Sequence, residues 1–305
     1  MRKLPLSAGV LILQLAAPLF GFDWPLQKVT VTSTFAENRG DHFHGGIDLG
    51  GGEQSVLPIA EGELVFAREE SWSLSDLPVG LGNYVVLQHQ GGVRSIYAHL
   101  KEGSIDPQRR LYDRSAPLGV VGSSGYSSGT HLHLSIIDSE MGTIINPLLL
   151  LPALPDSQPP VIRAVSLSDG RQEIALRNRV TVKAGSYEVL AELFDLREEV
   201  SFVWKLAPYK IFLYQDGREV ASFVFDSLQV NGDLSTGQRQ ERPASRELVV
   251  SGSQRTFSEL FAGPWLFRLG TLRLLPGETT LTVFAEDFAG NEAAEELTLQ
   301  VGSPR

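Results

Sequence analysis

The stretch Gly122-Ser-Ser-Gly-Tyr-Ser-Ser-Gly-Thr-His-Leu-His-Leu-Ser-Ile136 decides how the first half of the chain folds. A Gly/Ser-rich turn runs into an alternation in which His131 and His133 fall two positions apart. Residues i and i+2 of a strand share a face, so both imidazoles are presented together while Leu132 and Leu134 point the other way. Similar short runs lie upstream, Val-Thr-Val-Thr-Ser-Thr-Phe at 29–35 and Asn-Tyr-Val-Val-Leu-Gln-His at 83–89, β-branched or alternating and separated by glycine pairs. The first half is therefore expected to be mostly β.

Working outward, residues 147–160 read PLLLLPALPDSQPP, with five prolines in 14 residues. Proline continues neither a helix nor a central strand, so this segment marks a boundary. Beyond it strand-like runs recur at 173–182, 187–194, 210–224 (broken by the hairpin signal Asp216-Gly217), 247–250 and 279–286. About seven strands at such spacing suggest a sandwich. The segment Ala-Glu-Asp-Phe-Ala-Gly-Asn at 285–291, with the final strand, resembles the end of bacterial immunoglobulin-like domains. With 305 residues and about 150 per domain, two domains are expected. The expected fold is all-β, organised as 1–21, 22–147, a proline-rich linker 148–160, and a sandwich at 161–305.

Composition narrows the chemistry. Lys plus Arg number 26 against 36 Asp plus Glu, a net charge of −10 that opposes a nucleic-acid partner. Cysteine is absent, which removes disulfides, thiolate nucleophiles and Cys-type metal sites, so a metal must be held by His, Asp or Glu. All six histidines fall between His42 and His133. The start, Met1-Arg2-Lys3 followed by an apolar stretch to Phe20, reads as a cleaved secretory signal over 1–21 rather than a retained transmembrane anchor. A periplasmic or extracellular protein is the corresponding expectation.

In Asp41-His-Phe-His-Gly-Gly-Ile-Asp48, His44 and Asp48 stand four apart, but the glycines between them argue for a loop entering a strand, not a helix. Two histidines and one carboxylate leave a fourth tetrahedral position open, which is how a catalytic zinc site is built. Two competing patterns fail. Gly125-Tyr-Ser-Ser-Gly129 satisfies G-x-S-x-G, but an alternating run follows where a helix is required, and no histidine occurs after His133. The glycines at 80–82 and 119–129 lack Gly-Lys-Ser/Thr and read as turns, not a phosphate loop.

Three motifs, HGGID at 44–48, YAHL at 97–100 and GYSSGTHLHL at 125–134, resemble the lysostaphin/LytM-type zinc metallopeptidases, which are peptidoglycan endopeptidases. The resemblance covers about residues 22–147 and implies that domain's β-sheet fold. By position it makes His44, Asp48 and His133 ligands of one Zn2+ per chain. It makes His99 and His131 the pair that deprotonates water and stabilises the oxyanion, without saying which is the base. The implied substrate is a peptidoglycan peptide. Relatives commonly continue H-L-H-F-E where this chain has Leu134-Ser135, a departure expected to affect packing and groove polarity. Arg39 is read as a rim or structural residue, and His42 and His89 as bystanders. Members of this fold that lack the ligands act as non-catalytic binding or activating modules; this chain retains every position. The second domain carries no nameable chemistry. It is expected to position the enzyme on the wall or dock a protein partner, with Trp204, Tyr209, Tyr214 and Trp265 in its core.

Overall fold

The computed structural model describes residues 21–72, 80–198, 204–230 and 248–303. The expected signal segment lies outside these residues except for Gly21. Before the proline-rich segment the chain forms β1 (Thr30–Ser33), β2 (Ile47–Gly50), β3 (Ser55–Val56), β4 (Gly62–Arg68), β5 (Tyr84–Gln88), β6 (Val93–Ala98), β7 (Leu111–Tyr112), β8 (Gly119–Val120), β9 (Leu132–Asp138) and β10 (Thr143–Ile145). After it come β11 (Val161–Ser168), β12 (Glu173–Ala175), β13 (Val180–Lys183), β14 (Gly185–Phe194), β15 (Lys210–Gln215), β16 (Arg218–Val224), β17 (Ser227–Val230), β18 (Leu248–Val250), β19 (Phe261–Gly263), β20 (Leu266–Leu274), β21 (Gly277–Glu286) and β22 (Glu292–Gly302). The described chain is all-β apart from single helical turns such as Phe257–Leu260.

Strand β9 organises the first half. It pairs with β6 along one edge, while its other edge is shared end to end by β2 and β10. The alternation holds: Leu132, Leu134 and Ile136 are fully buried with Ile47, Leu49, Val85 and Leu87 in the apolar core, each such side chain contributing about 1.5–3 kcal/mol. The odd-numbered residues of β9 therefore face away from that core, and Asp48 of β2 lies directly opposite His133.

The second half forms a two-sheet sandwich, one sheet ordered β12-β11-β14-β20-β19 and the other β13-β22-β21-β15-β16. The run at 173–182 does not make one strand. It splits into β12 and β13 on opposite sheets, because the chain turns through Arg179 at φ 62°, and β13 then lies parallel to β22. The Asp216-Gly217 hairpin does form, with φ of 50° and 75° as a two-residue primed turn requires.

The two halves share a sheet. Hairpin β17–β18 leaves the sandwich and pairs with β10, Leu228 opposite Ile144, extending the first-half sheet to ten strands among the described residues. Asn146 fixes this junction, its backbone N–H donating to Asp226 (2.8 Å) and its side chain to Phe225 (2.9 Å). Phe43 packs edge-on against Phe257, with ring centroids 5.4 Å apart. Among the described residues no helix is long and apolar enough to cross a membrane.

Candidate metal centre

The loop between β1 and β2 delivers His44, β2 delivers Asp48, and β9 delivers His133. Their inward atoms form a tight triangle: His44 Nε2 to Asp48 Oδ1 is 3.1 Å, His44 Nε2 to His133 Nδ1 is 3.0 Å, and His133 Nδ1 to Asp48 Oδ1 is 2.9 Å. Gly46 makes this approach possible. A Cβ there would sit 2.4 Å from the Leu134 carbonyl and 2.9 Å from His133 Cε1, so only glycine lets β2 close on β9.

The outer hydrogen bonds fix which nitrogens carry protons. His44 Nδ1 donates to the Thr34 carbonyl at 2.8 Å, leaving a lone pair on Nε2. Ser135 Oγ donates to the Gly45 carbonyl (2.7 Å), so it must accept from His133 Nε2 (2.8 Å), leaving a lone pair on Nδ1. Two imidazole lone pairs and a carboxylate oxygen thus point at each other with no proton between them. That arrangement fits a cation: the edges approach the roughly 3.3 Å of a tetrahedron with about 2.0 Å arms, and the N/N/O donor set suits zinc. Burial would raise the Asp48 pKa, but positive charge facing it, as from His44 and His133 when protonated, holds it well below the usual carboxylate range. Burial outweighs Asp48 at His133 and lowers its pKa, favouring the neutral ring that a ligand must be. Arg39 takes the other Asp48 oxygen at 2.6 Å and also donates to Ser33 Oγ at 2.7 Å, so it orients the carboxylate.

His99 and His131 stand beside the triangle, their ring centroids 4.7 Å apart. Each directs Nδ1 at a backbone carbonyl, His99 to Ser124 (2.8 Å) and His131 to Gly129 (2.9 Å), which leaves Nε2 of each as the free nitrogen. His131 Nε2 lies 3.7 Å from Asp48 Oδ1. Burial lowers the His99 pKa to about 4, keeping that imidazole neutral. His89 is remote, held by Glu61 O and Ser95 Oγ, and His42 is exposed at the groove mouth beside Asp41. Ser127 points back into its own turn, to Gly129 O at 2.6 Å, and a strand follows it.

The centre opens into a groove of about 890 Å³. The second half supplies part of its wall: Trp204, Lys205, Leu248 and Trp265 line it together with Tyr126 and Ile144. Trp204 and Trp265 therefore do not sit in the sandwich core as expected. Trp204 is 50% exposed, and its indole N–H donates to the Thr32 carbonyl.

An all-β domain thus brings together a His/Asp/His donor set that could hold a metal ion, with two further imidazoles beside it. Residues 42–147 match the model of Peptidase family M23, so the chain carries an M23 peptidase-family domain, and a second family model covers residues 159–302. Over 138 residues the chain is 29% identical to the murein hydrolase activator NlpD of Escherichia coli (strain K12), covering 45% of this chain and 33% of NlpD. It is likewise 29% identical over 131 residues to an uncharacterized metalloprotease of Buchnera aphidicola subsp. Baizongia pistaciae, covering 40% and 32%. The chain spans about a third of the length of these curated relatives. The catalytic domain of lysostaphin from Staphylococcus simulans is 26% identical, covering 34% of this chain and 75% of that one, with a TM-score of 0.27.

Proposed function

We propose that the chain is a zinc-dependent endopeptidase that hydrolyses peptide bonds in peptidoglycan stems or cross-links, working in the periplasm or outside the cell. The observation that carries this reading is the convergence of three proton-free donor atoms, from His44, Asp48 and His133, on one point beside two further histidines. Zinc held there supplies Lewis acidity toward the scissile carbonyl and acidifies an attacking water. The remaining work falls to the chain. One of His99 and His131 accepts the water's proton at its free Nε2, and as an imidazolium then donates it to the departing amine. The other faces the developing oxyanion. The groove, walled by Trp204 and Trp265, admits an extended peptide across these groups.

The match to relatives named murein hydrolase activators favours a second reading, in which the chain acts by stimulating another wall hydrolase. Incubating the zinc-loaded chain with defined muropeptides and measuring product masses separates the two. Cleavage that disappears in His133→Ala supports the peptidase. No cleavage by a zinc-loaded chain that accelerates a second hydrolase supports the activator.

A further inference from the structure

Where the connection between the halves meets the end of the sandwich, three aspartates come together. Asp195 follows β14, Asp287 follows β21, and Asp156 lies within the proline-rich segment. One carboxylate oxygen of each lies within 4.8 Å of the other two. Asp195 and Asp287 are only 4% and 1% exposed. Asp287 is held in place by Asn291, which donates to it from its backbone N–H (2.8 Å) and its amide (2.7 Å).

One observation points to a missing ligand: Asp195 Oδ1 is buried and has no hydrogen-bond partner, a state that ordinary folding avoids. Arg197 lies 3.2 Å from Asp156 Oδ2, and a divalent cation is what would let Asp195 and Asp287 be ionised side by side. The donors are all oxygen, unlike the N/N/O set of the histidine centre, which suits a hard cation. Magnesium keeps a regular octahedron with several waters, whereas calcium accepts irregular carboxylate cages, so this cramped cluster favours calcium.

We propose that Asp156, Asp195 and Asp287 bind one calcium-type divalent cation, which clamps the proline-rich connection to the end of the sandwich.

The test is calorimetric titration of the chelator-treated full chain with calcium chloride alone, alongside thermal melting. One equivalent of calcium should bind to the wild type and equally to His133→Ala, with a melting rise of roughly 5 °C at a hundredfold excess over Kd. Asp195→Asn and Asp287→Asn should lose both the binding and the rise. Each removes a charge from a repulsive cluster, so calcium-free Asp195→Asn should melt no lower than calcium-free wild type. No uptake by folded wild type at millimolar calcium, or uptake that survives both substitutions, overturns the proposal. Because His133→Ala leaves this site intact, failure here is distinguishable from failure of the peptidase reading.

Discussion

Ser135 Oγ lies 2.8 Å from His133 Nε2 and gives its own proton to the Gly45 carbonyl. A hydroxyl has one hydrogen, so the imidazole must donate to it, and that choice sets the tautomer aiming Nδ1 at Asp48 and His44. Ser135→Ala removes the acceptor without removing a metal-facing atom. Zinc affinity, measured by chelator competition, is expected to fall about 10–100-fold with the melting temperature little changed. Affinity equal to wild type would show that Ser135 does not set the ring.

The two glycines of the HGGID motif are not equivalent. A Cβ on Gly45 meets only Ile144 Cδ1, at an ordinary 3.5 Å, whereas a Cβ on Gly46 drives into the β9 backbone and the His133 ring. Gly46→Ala is expected to destabilise the chain by about 1–3 kcal/mol and to lose zinc, while Gly45→Ala keeps it. Thermal melting and metal content of the two variants, side by side, check this; equal behaviour would refute the close-packing account.

Much of the centre was legible because its signals are local. Alternation at 131–136 places two imidazoles on one face, and a glycine-broken loop sets Asp48 on the adjoining strand. The same alternation puts Ser135 beside His133, yet its role is not legible there, because a serine in place of a larger residue reads as a packing change until its partner, Gly45 O, is known. The shared sheet was not legible at all. Ile144 and Leu228 pair across a long sequence separation, and nothing in either run names the other. For the same reason Trp204 and Trp265 read as sandwich core: only the placement of the hairpin and the groove shows which face they serve.

That shared sheet makes the first half dependent on the second. A chain ended at Pro160 keeps every histidine, but β10 becomes an open edge and Phe43, next to His44, loses Phe257 and Phe261. Such a fragment is expected to self-associate and to bind zinc more weakly than the full chain, as read by size-exclusion chromatography and chelator competition. A monodisperse fragment with full zinc affinity would show the hairpin to be dispensable.

Burial, with the neighbouring Asp287 and Asp156 carboxylates, raises the Asp195 pKa to about 8 despite Arg197. The folded state therefore holds a proton that the unfolded state, at the ordinary value of 3.8, releases earlier. This contribution to stability is present below pH 4 and is lost as pH rises toward 8. In calcium-free buffer the melting temperature of the wild type should fall from pH 5 to pH 8 relative to Asp195→Asn, and saturating calcium should abolish that difference. Parallel pH profiles for the two proteins without calcium would contradict the repulsive cluster.

His99 offers the sharpest separation of metal binding from turnover. It adopts φ 62°, a left-handed conformation that alanine tolerates poorly and asparagine well, so His99→Asn is the suitable variant. Its ring contributes no atom to the His44, Asp48 and His133 triangle, and its Nδ1 is tied to Ser124, so zinc content should stay at one per chain. Cleavage of a muropeptide should nevertheless fall by about 10²–10⁴, the usual worth of a positioned acid or base. His133→Ala, in contrast, should lose zinc and cleavage together. If His99→Asn also loses its zinc, His99 is a ligand, and the role of proton acceptor passes to His131 alone.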